Sequence, residues 1–293
     1  MKERKISLFI KREDLNHPKI SGNKWHKLKH NLQEARKQGK DTLLTFGGAY
    51  SNHIYATAAA GKIFDFNTIG IIRGEEHLPL NPTLSFAKES GMKFFYLDRS
   101  SYRKKNAPEI INQLRKKFGD FYLIPEGGTN ELAVKGCSDI VKSINIEFDF
   151  IACPCGTGGT LAGLISGLNG NKFALGFSVL KGASFLKENV NSLLKNSGND
   201  SLLNWDINFE YHLGGYAKTN SVLLDFVNRF TSLTKIPIEP IYTGKMLFGI
   251  YDLASNGFFK EGSHIVAIHT GGLQGLRGFA ERRKSRVTKE GLI

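Results

Sequence analysis

The chain has 293 residues, of which 41% are hydrophobic and 23% are charged. These are ordinary globular values, and the length suits one large domain or two smaller ones around a substantial core. The apolar runs are short and broken by charged residues, so we expect no transmembrane span. The basic start of the chain has too short an apolar stretch for a signal peptide, and we therefore expect a cytoplasmic protein.

The formal net charge is +13. Such an excess can indicate nucleic-acid binding, but the basic residues form short clusters without interleaved aromatic residues, and no nucleic-acid motif is present. We interpret them as solvated helix faces and expect affinity only for small anions. Cys137, Cys153 and Cys155 fit neither a disulfide framework nor a metal-ligand spacing, so we expect packing roles and no metal site.

Apolar stretches rich in β-branched or aromatic residues alternate with longer segments of helical period. In chain order, strands are predicted at 42–46, 68–72, 93–97, 121–125, 148–154, 173–179 and 264–269. Amphipathic helical segments between them begin at Asn23, Ser51 and Ala107. This alternation indicates an α/β protein with parallel sheets. There is no repeat and no Pro/Gly-rich linker, so a second domain is expected to be an insertion.

Four of the predicted strands run directly into glycine-rich turns. These turns lie at 47–48, 127–128, 156–160 and 271–272. Glycine lets a turn adopt positive φ and lets a ligand approach the backbone closely. Ligands of open α/β sheets bind at the carboxyl ends of the strands, and we therefore predict one substantial ligand site there.

The sequence GTGGT lies between a predicted strand and an apolar helix. Its members are Gly156, Thr157, Gly158, Gly159 and Thr160. In this position backbone N–H groups and the positive end of the helix dipole can hold a phosphate, with the threonine hydroxyls as further donors. Leu161 follows, where the dinucleotide fingerprint needs glycine, and the Gly-Lys-Ser/Thr ending of a Walker loop is absent. The loop therefore fits a lone phosphate, with a structural turn as the alternative.

A lysine preceded by Gly-Asn, together with one phosphate loop, suggests pyridoxal 5'-phosphate. The cofactor aldehyde needs a lysine amine held at the edge of an apolar pocket. If this segment is helical, Trp25, Leu28 and Leu32 form its buried stripe. Lys24 and Lys27 then lie beside that stripe, one turn apart, with Lys24 placed to reach the aldehyde and Lys27 to face the phosphate. Two surface lysines with buried stems are the alternative.

Six segments, taken in order, resemble the family of 1-aminocyclopropane-1-carboxylate deaminases and D-cysteine desulfhydrases. They are KRED (11–14), SGNKWHKLKHNL (21–32), GGAYSNH (47–53), CGTGGT (155–160), EPIYTGKMLFGI (239–250) and HTGG (269–272). The resemblance implies a two-domain, tryptophan synthase β-like (fold type II) α/β enzyme that binds pyridoxal 5'-phosphate, with parallel twisted sheets flanked by helices. It implies a larger cofactor-binding domain of residues 1–37 and 129–293, a smaller inserted domain of residues 38–128, and a homodimer.

The resemblance also assigns roles in the cofactor site. Lys24 matches the Schiff-base lysine and Lys27 the lysine that helps to bind the phosphate, while the loop from Gly156 to Thr160 binds the rest of it. Tyr216 and Tyr242 match the two tyrosines that flank the substrate, and we take them as catalytic candidates. A phenol near a positively charged cofactor can have a lowered pKa and exchange protons. Without the motif match, either tyrosine would be interpreted as core packing.

Ser51 and Asn52 match a Ser-Asn pair at a helix N-terminus. The resemblance places Asn52 beside the cofactor 3-hydroxyl and Ser51 beside the substrate carboxylate or the reacting carbons. Backbone N–H groups at a helix start can bind a carboxylate. His53 is included among the substrate-binding candidates, although packing is the favoured interpretation of both His53 and His269.

Two threonines bear on the choice of reaction. Thr243 stands where the deaminases have glutamate against the pyridine nitrogen, and Thr270 stands where they tend to have leucine. A carboxylate keeps the ring nitrogen protonated, which helps to open a cyclopropane that has no α-hydrogen. A hydroxyl beside the ring nitrogen is sufficient for a reaction in which an α-proton leaves and a good β-leaving group then departs. Both positions resemble the desulfhydrase branch.

We therefore hypothesise a pyridoxal-phosphate-dependent lyase that carries out α,β-elimination on a small amino acid, with D-cysteine giving pyruvate, sulfide and ammonia. The alternatives are deamination of 1-aminocyclopropane-1-carboxylate to 2-oxobutanoate and ammonia, and dehydration of a D-hydroxy amino acid. A non-catalytic cofactor-binding protein is disfavoured by the intact Lys24, Ser51 and Tyr242. We expect neither nucleic acid nor membrane as a partner.

Overall fold

The computed structural model describes residues 4–281, which form two compact units. Residues 4–30 and 129–273 make up the first unit, and residues 31–128 and 274–281 make up the second. The chain crosses between the units after residue 30, inside a helix, and again after residues 128 and 273, so residues 274–281 belong to the second unit. The family resemblance implies a first crossing after residue 37, and the domain bounds that it implies stay a prediction.

The strands and helices that begin and end within residues 4–281 are named in chain order. The strands are β1 (Ser7–Lys11), β2 (Thr42–Gly47), β3 (Asn67–Arg73), β4 (Lys93–Leu97), β5 (Tyr122–Ile124), β6 (Phe150–Cys155), β7 (Phe173–Ser178), β8 (Trp205–Asn208) and β9 (His264–Ile268). The helices are α1 (Asn23–Lys37), α2 (Asn52–Phe64), α3 (Pro82–Glu89), α4 (Arg99–Arg103), α5 (Pro108–Phe118), α6 (Glu131–Lys142), α7 (Gly159–Leu168), α8 (Phe185–Asn196), α9 (Ser221–Thr234) and α10 (Thr243–Ser255).

The first unit is built on five parallel strands in the order β1-β9-β6-β7-β8. Side chains alternate across β6, as the two-residue period of a strand requires. Ile151, Cys153 and Cys155 pack on one face with residues of α6, α7 and α8. Ala152 packs on the other face with residues of α9 and α10. Both faces are thus covered by helices, which is the usual arrangement of a parallel sheet.

Helix α7 is held close to α6 by two of its glycines. A Cβ at Gly163 would lie 2.3 Å from the Cβ of Cys137, and a Cβ at Gly167 would lie 2.7 Å from the Ser138 carbonyl oxygen. Any larger residue would push the two helices apart. This close packing fixes the start of α7, where the glycine-rich loop lies.

The second unit is built on four parallel strands in the order β4-β3-β2-β5. One face of this sheet buries Phe46 and Ile71 against residues of α4 and α5. The other face buries Ile72 against Ile54 of α2 and Leu84 of α3. The strand β2 ends at Gly47, where a Cβ would lie 2.5 Å from the Ile54 side chain, so the turn into α2 needs glycine.

The predicted α/β class, with parallel sheets flanked by helices, is confirmed, and all seven predicted strands are present. Two further strands, β1 and β8, were not predicted. Both lie at the edges of the five-stranded sheet, where a strand has one neighbour and is partly exposed. Among the helices of the described residues, none is long and apolar enough to cross a membrane.

Candidate active site

The start of α1 is held by two loops that the sequence motifs mark. The N–H of Gly22 donates to the Glu13 carbonyl at 2.9 Å, and the N–H of Asn23 donates to the Thr270 carbonyl at 3.3 Å. Gly22 has a φ of 71°, and a Cβ there would lie 1.9 Å from the Thr270 carbonyl oxygen. Only glycine fits, so the backbone is fixed immediately before Lys24.

Lys24 has an amine suited to attack on an aldehyde. Its Nζ donates to the Asn23 side-chain oxygen at 3.1 Å. Burial, and then the positive charge of Lys27, lower the pKa of Lys24 from 10.5 to about 7. Roughly half of the Lys24 amines are therefore uncharged at neutral pH, and the uncharged amine is the nucleophile.

Lys27 lies against the glycine-rich loop. Its side chain is buried, and Nζ donates to the Thr129 hydroxyl at 3.1 Å. The hydroxyls of Thr129 and Thr157 lie 2.6 Å apart. A Cβ at Gly159 would lie 3.2 Å from the Lys27 Nζ. The structure thus brings Lys27 together with the loop predicted to bind phosphate, and it adds Thr129, which the sequence analysis did not assign to the site.

The first turn of α7 has the features of an anion site. The helix begins at Gly159, and Gly158 before it has a φ of 82° and supplies no side-chain cap. The first N–H groups of a helix lack partners within the helix, and an anion can accept from them. The Thr160 hydroxyl accepts from the Asn23 side-chain Nδ2 at 2.8 Å, which ties this turn to α1. Asn23 was also not predicted as a site residue.

Tyr216 and Tyr242, far apart in the sequence, lie side by side. Their rings meet edge to face, with centroids 5.9 Å apart and planes at 70°. A Cβ at Gly156 would lie 3.3 Å from a ring carbon of Tyr242. The structure therefore brings both predicted tyrosines to the glycine-rich loop's side of the first unit.

Thr243, the first residue of α10, carries a buried hydroxyl that no other group satisfies. The residue has 0% exposure, and its Oγ1 has no hydrogen-bond partner among the described residues. An unpaired buried hydroxyl costs about 1–3 kcal/mol, which a polar atom of a bound molecule would recover. Thr270, the other threonine of interest, is 8% exposed and holds α1 through its carbonyl.

His269 is neutral and structural in this arrangement. Its Nε2–H donates to the Pro237 carbonyl at 2.7 Å, and its Nδ1 accepts from the N–H of Gly271 at 3.2 Å. Burial lowers the pKa of His269, which agrees with this tautomer. The contacts support the packing interpretation of His269.

Ser51, Asn52 and His53 lie in the second unit, at the start of α2. Ser51 is the N-cap, and its Oγ accepts from the N–H groups of His53 and Ile54 at 3.2 and 3.3 Å. The hydroxyl proton of Ser51 is left to donate elsewhere. The Asn52 side-chain oxygen accepts from the Gln274 side-chain nitrogen, so its Nδ2 is the group directed to other partners. Gln274 was not predicted.

His53 is buried and its ring bonds to the neighbouring strand. Its Nε2 lies 2.8 Å from the Thr45 hydroxyl. Because the Thr45 O–H donates to the Ile124 carbonyl, the Nε2–H of His53 is the donor to Thr45. This contact supports packing for His53 over the substrate contact that was also proposed for it.

Two buried charged residues near the tyrosines were missed by the sequence analysis. The Glu239 carboxylate accepts from the N–H groups of Ile241, Tyr242 and Thr243 at 2.6–3.0 Å. Lys245, in the first turn of α10, is fully buried. An acid just before a predicted helix start was the available signal for Glu239. Within residues 4–281, no cluster of His, Cys, Asp and Glu side chains could hold a metal ion.

The residues of the first unit fit pyridoxal phosphate. Lys24 offers an amine of lowered pKa, and the start of α7 offers uncapped N–H groups for a phosphate. The buried Thr243 hydroxyl offers a polar partner for a ring atom. These are the three groups that such a cofactor requires from a protein.

Comparisons with known proteins agree with this site. A family model described as "Pyridoxal-phosphate dependent enzyme" matches residues 1–271. An Arabidopsis thaliana protein named as a mitochondrial bifunctional D-cysteine desulfhydrase/1-aminocyclopropane-1-carboxylate deaminase is 32% identical, over 92% of this chain and 73% of its own length. A Pyrococcus abyssi protein, provisionally named as a 1-aminocyclopropane-1-carboxylate deaminase, is 30% identical over 94% of this chain and 87% of its own.

A solved structure extends the agreement to the fold. The crystal structure of a homologue of 1-aminocyclopropane-1-carboxylate deaminase is 30% identical, with a TM-score of 0.83, and the match covers 97% of this chain and 90% of the other. The expected fold type II and the expected cofactor are thereby confirmed. The chain belongs to the pyridoxal-phosphate-dependent enzymes, in the family of 1-aminocyclopropane-1-carboxylate deaminases and D-cysteine desulfhydrases.

Proposed function

We propose that the protein is a lyase that eliminates the β-substituent of a small amino acid, with D-cysteine as the leading substrate and pyruvate, sulfide and ammonia as products. The name of the Arabidopsis thaliana relative includes this activity beside deamination of 1-aminocyclopropane-1-carboxylate. The family resemblance also favours a homodimer, and the short apolar stretch at the start of the sequence favours a cytoplasmic location.

The buried hydroxyl of Thr243 is the observation that carries the choice of reaction. It stands at the N-terminus of α10 with no partner among the described residues. By motif match this position faces the cofactor ring nitrogen, where a glutamate would favour a protonated ring. A neutral hydroxyl makes the ring a weaker electron sink, which is sufficient when an acidic α-proton leaves and a thiolate departs.

Lys24 is proposed as the group that moves the α-proton. Bound pyridoxal phosphate would stabilise the negative charge that develops when the α-proton of an amino acid leaves. With a pKa of about 7, the Lys24 amine can accept this proton at neutral pH and return it later. The proximity of Asn23, which accepts a hydrogen bond from Nζ at 3.1 Å, orients the amine.

The remaining residues bind and orient. Lys27, Thr157 and the first turn of α7 are proposed to hold the cofactor phosphate, with Thr129 as an added hydroxyl. The hydroxyls of Tyr216 and Tyr242 are proposed to flank the substrate and to supply or accept a proton at the leaving group. Ser51 and Asn52 are proposed, on the family resemblance, for the substrate carboxylate and the cofactor 3-hydroxyl.

Substitution of Thr243 tests the proposal through substrate preference. The cofactor-loaded wild type, Thr243→Glu and Thr243→Ser are each assayed with D-cysteine, L-cysteine, D-serine and 1-aminocyclopropane-1-carboxylate. Pyruvate, 2-oxobutanoate and sulfide are measured separately. We expect the wild type and Thr243→Ser to prefer D-cysteine over the cyclopropane by about 100-fold in kcat/KM, a difference of ~3 kcal/mol in barrier.

Thr243→Glu should narrow that preference by about tenfold, because a carboxylate beside the ring would favour ring opening. Thr243→Ser is the matched control, since it keeps the hydroxyl and changes only a methyl group. A wild type that opens the cyclopropane as fast as it degrades D-cysteine would overturn the proposed reaction.

A further inference from the structure

Lys245 occupies a position that is unfavourable for a lysine on two counts. It is the third residue of α10, close to the positive end of the helix dipole, and it has 0% exposure. A buried ammonium loses its hydration and must be compensated by the protein. Burial lowers the pKa of Lys245, and the negative charge of Glu239 opposes that change. The hydrogen bonds of the ammonium therefore have to offset this cost.

The ammonium of Lys245 bonds to two carbonyls of one short loop, at its first residue and immediately before Tyr216. Its Nζ donates to the carbonyl of His212 at 2.7 Å and to the carbonyl of Gly215 at 2.7 Å. We call residues 212–217 the Tyr216 loop. Hydrogen bonds from a charged donor are about twice as strong as neutral ones, so these two bonds clamp the Tyr216 loop onto α10.

The backbone of the Tyr216 loop is strained and depends on such a clamp. Leu213, Gly214, Gly215 and Ala217 have φ values of 50°, 91°, 111° and 56°. The left-handed region costs a non-glycine residue roughly 1–2 kcal/mol, and Leu213 and Ala217 both bear that cost. Conformations of this kind persist only where surrounding contacts determine them.

A second contact anchors the residue before the loop to the same helix. The hydroxyl of Tyr211 donates to the Asp252 carboxylate at 2.7 Å, and a Cβ at Gly249 would lie 2.8 Å from the Tyr211 ring. Helix α10 therefore carries Tyr242 at its N-cap and holds the segment that precedes Tyr216 along its side. The two tyrosines are positioned by one rigid element.

Glu239 completes the arrangement at the start of α10. Its carboxylate accepts from the N–H groups of Tyr242 and Thr243, and so fixes the turn on which Tyr242 stands. Burial raises the pKa of Glu239 to about 7, and its carboxylate form opposes the lowering of the Lys245 pKa. Glu239 thus fixes the backbone at Tyr242, and Lys245 fixes the backbone next to Tyr216.

We propose that Lys245 is a positioning residue that clamps the Tyr216 loop onto α10 and thereby fixes the Tyr216 ring against that of Tyr242. The proposal rests on the roles suggested above for the two tyrosines. Lys245 acts on Tyr216 through its hydrogen bond to the carbonyl of Gly215, the neighbouring residue.

Amide hydrogen exchange of the cofactor-loaded protein tests the clamp without any assay of turnover. Lys245→Met keeps the length of the side chain and removes the donors. We expect exchange in the peptide containing Gly214, Gly215 and Lys218 to accelerate by about tenfold or more, because loss of the clamp allows the strained loop to open. Ile250→Ala, a core truncation in the same helix, is the matched control. In this variant the exchange rate of the Tyr216 loop should not increase more than the exchange rates of the adjacent segments.

A double-mutant cycle with Tyr216→Phe then separates positioning from general stabilisation. If Lys245 acts through the Tyr216 hydroxyl, Lys245→Met should lower kcat strongly in the wild type and by less than about twofold in the Tyr216→Phe background. Ile250→Ala should lower kcat equally in both backgrounds.

Failure of the Lys245 clamp can be distinguished from failure of the proposed function. If no tested amino acid is turned over, the exchange measurement still decides whether Lys245 clamps the loop. If Lys245→Met gives no folded protein, Lys245→Gln, which keeps N–H donors on a shorter side chain, should show a smaller increase in exchange. Unchanged exchange in the folded variant, or fully additive effects of Lys245→Met and Tyr216→Phe on kcat, would overturn the proposal.

Discussion

The side-chain amide of Asn23 donates from Nδ2 to the Thr160 hydroxyl at 2.8 Å, and its oxygen accepts from the Lys24 amine at 3.1 Å. One buried amide therefore connects the proposed cofactor-binding lysine with the helix that follows the glycine-rich loop. Asn23 therefore fixes the distance between the group proposed for the cofactor aldehyde and the helix start proposed for its phosphate.

Asn23→Ala should weaken cofactor binding. The substitution removes a bond to each of two groups, and each bond contributes about 1 kcal/mol, so the dissociation constant should rise by roughly tenfold or more. The measurement is an absorbance titration of the cofactor-free protein with pyridoxal phosphate. Asn191→Ala on the exposed side of α8 is the control. Equal affinities for the two variants would show that the Asn23 bridge contributes nothing.

The unfolding free energy of the cofactor-free protein should depend on pH through Lys24. The pKa of Lys24 is about 7 when folded and 10.5 when unfolded, because burial disfavours the charged amine. Between these values Lys24 binds more protons in the unfolded chain, so the contribution of Lys24 to stability rises with pH and is lowest below about 7. Lys24→Met lacks this dependence. The free energy of unfolding of Lys24→Met should therefore exceed that of the wild type most below pH 7, and the difference should shrink as the pH rises.

Urea unfolding of the cofactor-free wild type and of Lys24→Met across this pH range provides the check. Lys260→Met, which replaces an exposed lysine, serves as the control and should follow the wild-type profile. Parallel pH profiles for the wild type and Lys24→Met would contradict the lowered pKa of Lys24.

Two substitutions of Ser51 should separate its capping role from its proposed role at the substrate. Ser51→Ala removes the acceptor of the His53 and Ile54 N–H groups and should cost about 1 kcal/mol of stability, whereas Ser51→Gly should cost only a few tenths. If Ser51 binds substrate, both variants should lose activity to a similar extent, by roughly 100-fold. Thermal unfolding and turnover of D-cysteine are measured together. If the loss of activity instead parallels the loss of stability, so that Ser51→Gly keeps nearly full activity, Ser51 acts only as a helix cap.

The central strands and the ligand-bearing turns were predictable because they depend on local sequence. The strands β2, β6 and β9 are apolar, central or nearly so, and run into glycine-rich turns. The edge strand β8 was missed because the four residues Trp205–Asn208 lack a continuous apolar pattern. The strand β1, which was also missed, lies at the opposite edge of the same sheet.

The polar supports of the site were not predictable, because each joins positions far apart in the chain. Asn23 bonds to Thr160, Lys245 bonds to carbonyls near Tyr216, and Gln274 bonds to Asn52. The local pattern around these residues does not show which distant groups they bond to. Their function becomes visible only when burial and the bonding partners are known.

The measurement that tests the account most directly is a titration of the cofactor-loaded protein with D-cysteine, in which the visible absorption band of the bound cofactor and the pyruvate and sulfide formed are followed together. Lys24→Ala is titrated in parallel. We predict that the wild-type band shifts while equimolar pyruvate and sulfide accumulate, and that the Lys24→Ala variant forms neither. A wild-type band that D-cysteine leaves unchanged, or a Lys24→Ala variant that turns over at the wild-type rate, would contradict it.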